Sequence, residues 1–379
     1  MGARLAVLGA GAMGSAAAVL LARHREDVEL LVLDADADRA RTTVRRAGHG
    51  EARGLDAAAG DLAGELRGVD AVANCLPYRL NLPVMEAALA AGCHYADLGG
   101  LFHTTRRQLE LDPRFRDAGR SAVLGIGSAP GLTNVLARLG ADRLDRVVSI
   151  DLVDGSVDVG EERFAVPYSA QTVLDEFTLP AVVFEDGELR EVPAGSGVVD
   201  RAFPEPVGVQ PAMYTLHSEP ATLPFTIPGV RNVRWRLALP RAIHDGFRFL
   251  VDVGLASTEP VETPRGPAIP REVLVAVLDR LPQPSGPPRD VEYLDVRVEG
   301  ERGGRPATHV ALARFDPSPE GLSAGAFGTA LPIAIAVRWM AEGRVQPGVH
   351  PPETAFDPVA FVAECERQGI GFSTELLEG

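Results

Sequence analysis

A glycine-rich turn between an apolar strand and a helix, at the start of the chain, constrains the fold more than any other feature. The apolar residues 5–8 lead directly into Gly9-Ala-Gly-Ala-Met-Gly14, and an alanine-rich helix is predicted over residues 15–25. A second apolar strand, residues 28–33, is followed by Asp34. A strand, a G-x-G-x-x-G turn, a helix and an acidic residue about twenty positions further on form the pattern that binds dinucleotides.

The residues of this turn have separate roles in holding a dinucleotide. Gly9 permits the tight turn, Gly11 lets the backbone approach a pyrophosphate, and Gly14 lets the helix pack closely on the strand. The helix N-terminus offers free N–H groups to phosphates, and Asp34 would accept hydrogen bonds from ribose hydroxyls. The alternative is a turn that needs glycine only for its backbone. The residues expected at the phosphates are Gly9, Gly11, Ala12, Met13 and Gly14.

The carboxylates beside the turn favour NAD over NADP. Asp34, Asp36 and Asp38 crowd the position that a 2′-phosphate would occupy, and they would repel it. Arg39 is the nearest cation and could offset that repulsion. The predicted cofactor is therefore NAD, with NADP as the alternative.

Composition excludes several classes of protein. The chain has 379 residues, enough for two domains, and its formal net charge of −15 disfavours nucleic acid or an anionic membrane as partner. Three cysteines without metal-ligand spacing indicate neither a disulfide framework nor a metal site. No signal peptide is recognisable and no apolar run approaches the roughly 18 residues of a membrane span, so we expect a cytoplasmic protein. All 37 basic residues are arginine, which rules out a lysine Schiff base or general base.

Further strands extend the first sheet, and their carboxyl ends would line a ligand crevice. Strands are predicted to end near Leu55, Asn74, Asp97 and Gly127, and ligands of doubly wound sheets bind outside such ends. The residues expected to border the cofactor are Asp56, Asn74, Leu76, Pro77 and Asn81, with Tyr78 opening the nicotinamide side. Asp56 could equally be a solvated loop residue. A second glycine-rich turn, residues 125–134, could direct backbone N–H groups at substrate or simply join two domains.

The pattern changes from about residue 146, where period-two alternation predicts an antiparallel sheet with one covered face. The predicted strands are residues 147–153, 232–239, 247–253, 294–298 and 308–315. The fold class is thus α/β, with an N-terminal Rossmann doubly wound parallel sheet in residues 1–135. An α+β domain with a mixed or antiparallel sheet follows in residues 136–325. The C-terminal segment, residues 326–379, is expected to pack its apolar helix back on the first domain.

Without lysine, proton transfer falls to carboxylates and histidines. Asp97 ends a predicted strand at the crevice, where it could bind a substrate ammonium or accept its proton; alternatively it braces the loop that follows. His217 and Glu219 lie two positions apart on a predicted strand, so both would point the same way and could act together on one amine. The alternative for this pair is a salt link on a sheet face.

Several motifs occur in order over nearly the whole chain. They are Gly9-Ala-Gly-Ala-Met-Gly14, Asn74-Cys-Leu-Pro-Tyr-Arg-Leu-Asn81, Ala91-Gly-Cys-His-Tyr-Ala-Asp97-Leu-Gly-Gly100, Gly127-Ser-Ala-Pro-Gly-Leu-Thr-Asn134, Pro167-Tyr-Ser169, Leu174-Asp-Glu-Phe-Thr-Leu-Pro-Ala181, Tyr214-Thr-Leu-His-Ser-Glu219 and Val349-His-Pro-Pro-Glu353. With them the chain resembles the saccharopine dehydrogenase-like family, which includes the lysine 6-dehydrogenases. This set is far more specific than any one of its motifs.

The resemblance implies an NAD(P)-dependent oxidoreductase that oxidises an amine of an amino acid to an imine, or runs the reverse condensation. It also implies a Rossmann domain closed by the C-terminal segment, and an interrupting α+β domain that often forms a homodimer. On the substrate side we expect Tyr78, Gly99, Gly100, Pro130, Gly131, Asn134 and Tyr168, with Arg231 or Arg234 holding a carboxylate.

One stretch departs from the family. Lysine 6-dehydrogenases carry a Thr/Ser/Gly-rich sequence where this chain has Leu216-His-Ser-Glu-Pro220, which argues against lysine itself as the substrate. Two further functions fit the same scaffold: a carbonyl reductase, and a dinucleotide sensor without catalysis.

Overall fold

The structure is a computed structural model that describes residues 2–23, 27–160, 166, 169–281 and 286–379. Its first part contains the strands β1 (Arg4–Leu8), β2 (Glu29–Asp34), β3 (Glu51–Gly54), β4 (Ala71–Asn74), β5 (His94–Asp97) and β6 (Ser121–Val123). The helices between and after them are α1 (Ala12–Ala22), α2 (Ala37–Ala47), α3 (Leu62–Glu65), α4 (Asn81–Ala91), α5 (Leu101–Leu109), α6 (Asp112–Asp117) and α7 (Leu132–Ala141).

The second part contains most of the longer strands. They are β7 (Arg146–Asp158), β8 (Ala181–Glu185), β9 (Glu188–Val192), β10 (Val199–Ala202), β11 (Val209–Tyr214), β12 (Asn232–Ala238), β13 (Asp290–Arg302) and β14 (Arg305–Phe315). Its helices are α8 (Ala170–Thr178), α9 (Glu219–Thr226), α10 (Arg241–Asp252) and α11 (Pro270–Leu278). The chain then continues through α12 (Ala324–Ala341), β15 (Gly348–His350), α13 (Pro352–Ala355), α14 (Pro358–Arg367) and β16 (Gly371–Glu378).

The first sheet is parallel and doubly wound, as predicted. Its strand order is β15-β6-β5-β4-β1-β2-β3, and every neighbouring pair runs parallel. The strand order reverses between β1 and β4, so a ligand crevice is expected outside the carboxyl ends of these two strands. All four residues of β4 are buried, as in a sheet covered by helices on both faces.

The second sheet is mixed, which confirms the predicted α+β architecture. Along its main path the order is β10-β11-β12-β7-β13-β14-β16, with β12 and β7 parallel and the other neighbours antiparallel. One face, here called the inner face, carries Leu152, Leu294, Val296 and Val298. These residues share a continuous core with α7 and α12. The inner face therefore places its polar side chains beside the crevice of the first sheet.

Two sequence-based assignments of secondary structure were wrong. Residues 247–253 belong to α10 and its C-cap rather than to a strand. Ile243, Phe247 and Leu250 recur at helical spacing and pack into one core, and this spacing outweighs the short alternation seen in the sequence. The segment 371–378, not assigned from the sequence, forms β16 at the edge of the second sheet.

The C-terminal segment contributes to both sheets, because β15 pairs with β6 and β16 pairs with β14. Its long helix α12 has 18 residues with a mean hydropathy of 1.3, and in the described chain it is the one helix long and apolar enough to span a membrane. The expectation that no apolar run approaches that length was therefore wrong. However, 72% of α12 is buried inside the protein, as in a core helix.

Candidate active site

The glycine turn leaves open space where phosphates would lie. Gly9 has a φ of 85°, and a Cβ on Gly14 would lie 1.7 Å from the Gly9 carbonyl oxygen, so both positions require glycine. A Cβ on Gly11 would meet no atom within 4 Å. The first turn of α1, which begins with Ala12 and Met13, has no side-chain cap and no acidic residue. Its free N–H groups and the space beside Gly11 therefore fit a pyrophosphate.

The carboxylate of Asp34 lies against the same turn. Its Oδ2 accepts a hydrogen bond from the Ala10 N–H at 2.6 Å, and its Oδ1 accepts one from the Asp36 N–H at 2.8 Å. Asp36 in turn caps α2, so two carboxylates occupy the expected ribose position. Asp56 lies in an exposed turn, where its Oδ1 accepts from the Ala58 N–H.

The two asparagines expected beside the cofactor form a buried brace behind the crevice. The Asn74 amide donates to Asn81 Oδ1 and to the Tyr95 hydroxyl, each at 3.0 Å. The Asn81 amide donates to the Gly99 carbonyl at 2.9 Å. Leu76, which precedes Pro77 at the crevice, would lie 3.0 Å from a Cβ on Gly9. The asparagines thus fix the loops after β4 and β5, while Leu76 packs on the glycine turn.

Asp97 is fully buried and surrounded by hydrogen-bond donors. Its carboxylate accepts from the N–H groups of Gly99 (2.9 Å) and Gly125 (2.7 Å). It also accepts from the Tyr95 hydroxyl (2.8 Å) and the Gln108 amide (2.5 Å). Burial raises the pKa of Asp97 despite these donors. A substrate amine has no access to this carboxylate, so the structure does not support the expectation that Asp97 binds or deprotonates substrate. It ties together the loops after β5 and β6.

The two loops expected on the substrate side, residues 97–100 and 130–134, pack against each other. A Cβ on Gly99 would lie 2.9 Å from Pro130 Cγ and 3.7 Å from Ser218 Oγ, which brings the stretch around His217 to this edge. A Cβ on Gly131 would lie 2.2 Å from the Gly127 carbonyl oxygen, and one on Gly100 would lie 2.6 Å from Gln108 Oε1. Because a Cβ would clash with a neighbouring atom at each of these positions, the loops require glycine there. Asn134 lies deeper, where its amide donates to Glu353 at 2.9 Å.

His217 and Glu219 form a hydrogen-bonded dyad at this edge, between His217 Nδ1 and Glu219 Oε2. The imidazole stacks on the Trp235 indole, with ring centroids 4.1 Å apart and an interplanar angle of 12°. Glu219 is fully buried, whereas 10% of the His217 side chain is exposed, and its Nε2 has no partner among the described residues. The predicted strand was wrong, because residues 215–218 form a loop and Glu219 begins α9.

Further carboxylates face the same cleft from the inner face of the second sheet and from α8. Asp154 lies opposite both Leu237 and Leu294 in the sheet register, and Glu292 is two residues from Leu294, so all point to one face. Burial and then repulsion from Glu292, Glu176 and Glu219 raise the pKa of Asp154 well above its ordinary value.

Glu292 accepts a hydrogen bond from Ser128 Oγ at 2.7 Å, and burial raises its pKa to about 7. No arginine of the described chain forms an ion pair with Asp154 or Glu292, whereas other acids on these elements, such as Asp151, Asp295 and Asp175, do have such a partner. Unneutralised carboxylates in a confined cleft favour a cationic ligand.

The two arginines expected to hold a substrate carboxylate lie elsewhere. Arg234 alternates with Trp235 along β12 and therefore points to the opposite face, where it pairs with Glu185 at 2.9 Å. Arg231 is exposed and donates to the Asp186 carbonyl. The structure therefore does not bring either arginine together with His217.

Tyr78 does face the cleft, where it lines a narrow cavity together with Leu101, Leu216 and Glu176. Tyr168 lies outside the described residues. Within the described ranges, no three His, Cys, Asp or Glu side chains gather as a metal site.

Sequence reasoning missed several side chains of the cleft: Ser128, Thr133, Asp154, Trp235 and Glu292. For Asp154 and Glu292 the sequence does contain a signal. Asp154 falls in phase with Leu152, and Glu292 falls in phase with the apolar residues of β13, so each is a carboxylate at a position that should be apolar. A carboxylate in an inward register position indicates a ligand site or a buried partner.

Two family models match the chain. "Saccharopine dehydrogenase NADP binding domain" matches residues 5–123, and "Saccharopine dehydrogenase C-terminal domain" matches residues 127–370. The chain is 26% identical to carboxyaminopropylagmatine dehydrogenase of Synechocystis sp. over 319 residues, which cover 80% of this chain and 79% of that protein. It is 25% identical to carboxynorspermidine synthase of Vibrio cholerae over 330 residues, covering 82% and 78%.

Among solved structures, apo saccharopine dehydrogenase (L-Glu forming) from Saccharomyces cerevisiae superposes with a TM-score of 0.80. The match covers 99% of this chain and 100% of that one, at 19% sequence identity. At this identity the similarity establishes the fold.

Proposed function

Because the chain belongs to the saccharopine dehydrogenase family, it is an NAD(P)-dependent oxidoreductase acting at a C–N bond, and we propose that its substrate is a carboxylated amine with a second cationic group. The observation that carries this proposal is the cleft itself. A histidine–carboxylate dyad lies beside Asp154 and Glu292, neither of which has an arginine partner in the described chain.

The names of two relatives support the same class of substrate. Carboxyaminopropylagmatine and carboxynorspermidine are carboxylated derivatives of agmatine and norspermidine. Agmatine carries a guanidinium group and norspermidine carries ammonium groups. A molecule of this kind carries a carboxylate together with several amine or guanidinium groups, which suits a reactive dyad flanked by acids.

The first domain has the residues needed to hold the cofactor. The turn at Gly9, Gly11 and Gly14 would hold the pyrophosphate, Asp34 the adenosine ribose, and Leu76 would border the nicotinamide side. When bound, NAD(P) supplies the hydride acceptor or donor. We favour NAD, because Asp34 and Asp36 leave a 2′-phosphate facing two negative charges.

His217 would handle the proton of the amine. Its Nε2 is the ring nitrogen without a partner among the described residues, so it can take a proton from the substrate nitrogen or return one. Glu219 holds the Nδ1–H tautomer and stabilises the imidazolium that forms. Trp235 fixes the plane of the ring by stacking. No lysine is available for this step anywhere in the chain.

Asp154, Glu292 and Glu176 would hold the distal cation of the substrate. A cation placed among them stabilises their ionised forms, so its binding should release protons near neutral pH. Asp97 would act at a distance from the substrate, by fixing the loops that border the reacting atoms.

The test combines cofactor binding with a substrate screen. Fluorescence titration with NADH and NADPH measures the two affinities, and NADH should bind more tightly. Reduction of NAD is then followed with saccharopine, lysine, carboxynorspermidine and carboxyaminopropylagmatine, beside a matched panel of alcohols. Turnover of the carboxylated polyamines supports the proposal. Turnover of alcohols alone would select a carbonyl reductase, and tight NADH binding without any turnover would select a dinucleotide sensor.

We also propose that the enzyme works in the cytoplasm as a homodimer formed through its α+β domain. Its three cysteines are unpaired, which agrees with a reducing compartment. Light scattering coupled to size-exclusion chromatography tests the dimer: a mass near twice 40.1 kDa is expected, and a mass near 40.1 kDa would exclude it.

A further inference from the structure

The dyad is held from the cofactor side of the cleft by a threonine. Thr133 Oγ1 donates a hydrogen bond to Glu219 Oε1 at 2.8 Å, and both residues are fully buried. Thr133 is the second residue of α7, directly after the tight turn at Gly131. The glutamate therefore spans from His217 on one oxygen to the first turn of α7 on the other.

This contact decides how the carboxylate is oriented. Glu219 has two oxygens, one of which binds His217, and in the described chain Thr133 is the one side-chain donor to the other. A buried carboxylate oxygen that loses its donor keeps the full desolvation cost, so it would turn toward another donor. Turning the carboxylate would also turn the imidazole that is bonded to it.

We propose that Thr133 is a positioning residue, which orients Glu219 so that His217 Nε2 faces the substrate nitrogen beside the nicotinamide. The inference rests on the proposed function of the His217–Glu219 dyad. Outer partners of metal-ligating histidines typically change activity by about 10- to 100-fold when removed, and we expect an effect of the same order here. Thr133 lies at the start of α7 and Glu219 at the start of α9, so their hydrogen bond links two helices that border the cleft. Gly127 and Gly131 close the tight turn that precedes α7.

Trp235 completes the arrangement from the side of the second sheet. Its Nε1 donates to Thr215 Oγ1 at 2.8 Å, which fixes the indole on which His217 stacks. The imidazole is thus held by the carboxylate along one edge and by the indole on one face. The charged groups near the dyad are Asp154 of β7, which lies close enough to Glu219 to feel its charge, and Glu176 of α8, which acts on Asp154 in the same way.

The chain offers a matched control. Thr226 lies on α9, the helix that begins with Glu219, and its Oγ1 donates to the buried carboxylate of Glu353 at 2.8 Å. Thr226→Val removes the same kind of contact from the other end of the same helix. Thr133→Ser retains the donor of the proposed contact and Thr133→Val removes it with little change in shape.

The first readout needs no turnover. The protein has two tryptophans, so Trp339→Phe leaves Trp235 as the single fluorophore. A protonated imidazole quenches an indole in contact with it, so fluorescence should fall on acidification, and His217→Gln should abolish that fall. In this background, Thr133→Val should cut the fall by at least half, whereas Thr133→Ser and Thr226→Val should retain it. An undiminished fall in Thr133→Val would overturn the proposal.

The second readout is kinetic, with the amine identified by the substrate screen. Thr133→Val should lower kcat by about 10- to 100-fold with KM and NADH affinity changed less than threefold. Thr133→Ser should recover most of kcat, and Thr226→Val should keep it. Equal losses in Thr133→Val and Thr226→Val would assign Thr133 a merely structural role. If no amine turns over, the proposed function fails, while the fluorescence measurement still decides the role of Thr133.

Discussion

His217 is the residue on which the proposed chemistry depends. Its Nδ1 is fixed and its ring is stacked, while its Nε2 has no partner in the part of the chain that the structure describes; a merely structural histidine does not require this combination. We expect His217→Gln to lower kcat by about 10²- to 10⁴-fold, the usual contribution of a general acid–base group. NADH affinity, measured by fluorescence titration, should stay unchanged. A variant with nearly full activity would remove His217 from the mechanism.

We propose that Asp34 decides the choice between the two dinucleotides. Its carboxylate already accepts two backbone hydrogen bonds and would face a 2′-phosphate directly. Asp34→Ser should therefore weaken NADH binding and improve NADPH binding, shifting the ratio of the two dissociation constants by about tenfold or more. The ratio comes from parallel titrations, with Asp117→Ser as the control because Asp117 is exposed on α6, away from the glycine turn. An unchanged ratio in Asp34→Ser would contradict this account of selectivity.

At the scale of elements, Asp97 holds the loops after β5 and β6 together. Both carboxylate oxygens of Asp97 accept hydrogen bonds, four in all. Asp97→Asn replaces one of these oxygens with an NH2 group, which cannot accept, so the hydrogen bonds to that oxygen are lost. We expect a loss of about 2–4 kcal/mol in the free energy of unfolding, measured in urea. If stability were unchanged while activity vanished, Asp97 would be a substrate contact after all.

The first domain could be predicted from the sequence because its signals are local. The glycine turn, the strand before it and Asp34 form one contiguous pattern, and their geometry follows from short-range steric limits. Residues 247–253 show the opposite case, since a few alternating apolar residues fit both a strand and one face of α10. Packing of Phe247 in a core with α8 decided between them.

The dyad shows what a sequence can and cannot convey about a site. The sequence predicts that His217 and Glu219 point the same way along a strand, and this strand is wrong. The two side chains meet because the loop that carries His217 leads directly into α9, which begins with Glu219. Their partners Thr133 and Trp235 come from distant parts of the chain, so no spacing in the sequence relates them. Such contacts depend on how the two sheets pack, which only the folded molecule specifies.

At the scale of the whole molecule, the cleft keeps carboxylates that oppose folding. The pKa of Glu292 rises from its ordinary 4.5 to about 7, and the pKa of Asp154 rises as well. A carboxyl whose pKa is higher in the folded state binds a proton on folding. The free energy of unfolding therefore falls as pH rises through the range between the unfolded and folded pKa values, which for Glu292 is about 4.5 to 7. If these acids bind the cation of the substrate as proposed, the cleft retains them although they lower the stability of the fold.

Removing one of these charges should stabilise the protein. We expect Asp154→Asn to raise the free energy of unfolding at pH 8 by about 1 kcal/mol or more, and to change it little at pH 4.5. Urea unfolding at the two pH values measures the difference. The same variant should bind cationic amines more weakly. A variant destabilised equally at both pH values would show that Asp154 has a structural partner instead.

In the proposed reaction, hydride leaves a carbon bonded to nitrogen. The direct test supplies NAD and carboxyaminopropylagmatine carrying deuterium on the carbons beside its secondary nitrogen, and mass spectrometry then measures the label in the reduced cofactor. We expect NADH carrying one deuterium, and unlabelled NADH from a control substrate deuterated elsewhere. Absence of label in NADH formed from the first substrate, or no reduction of NAD by any carboxylated amine, would contradict the account.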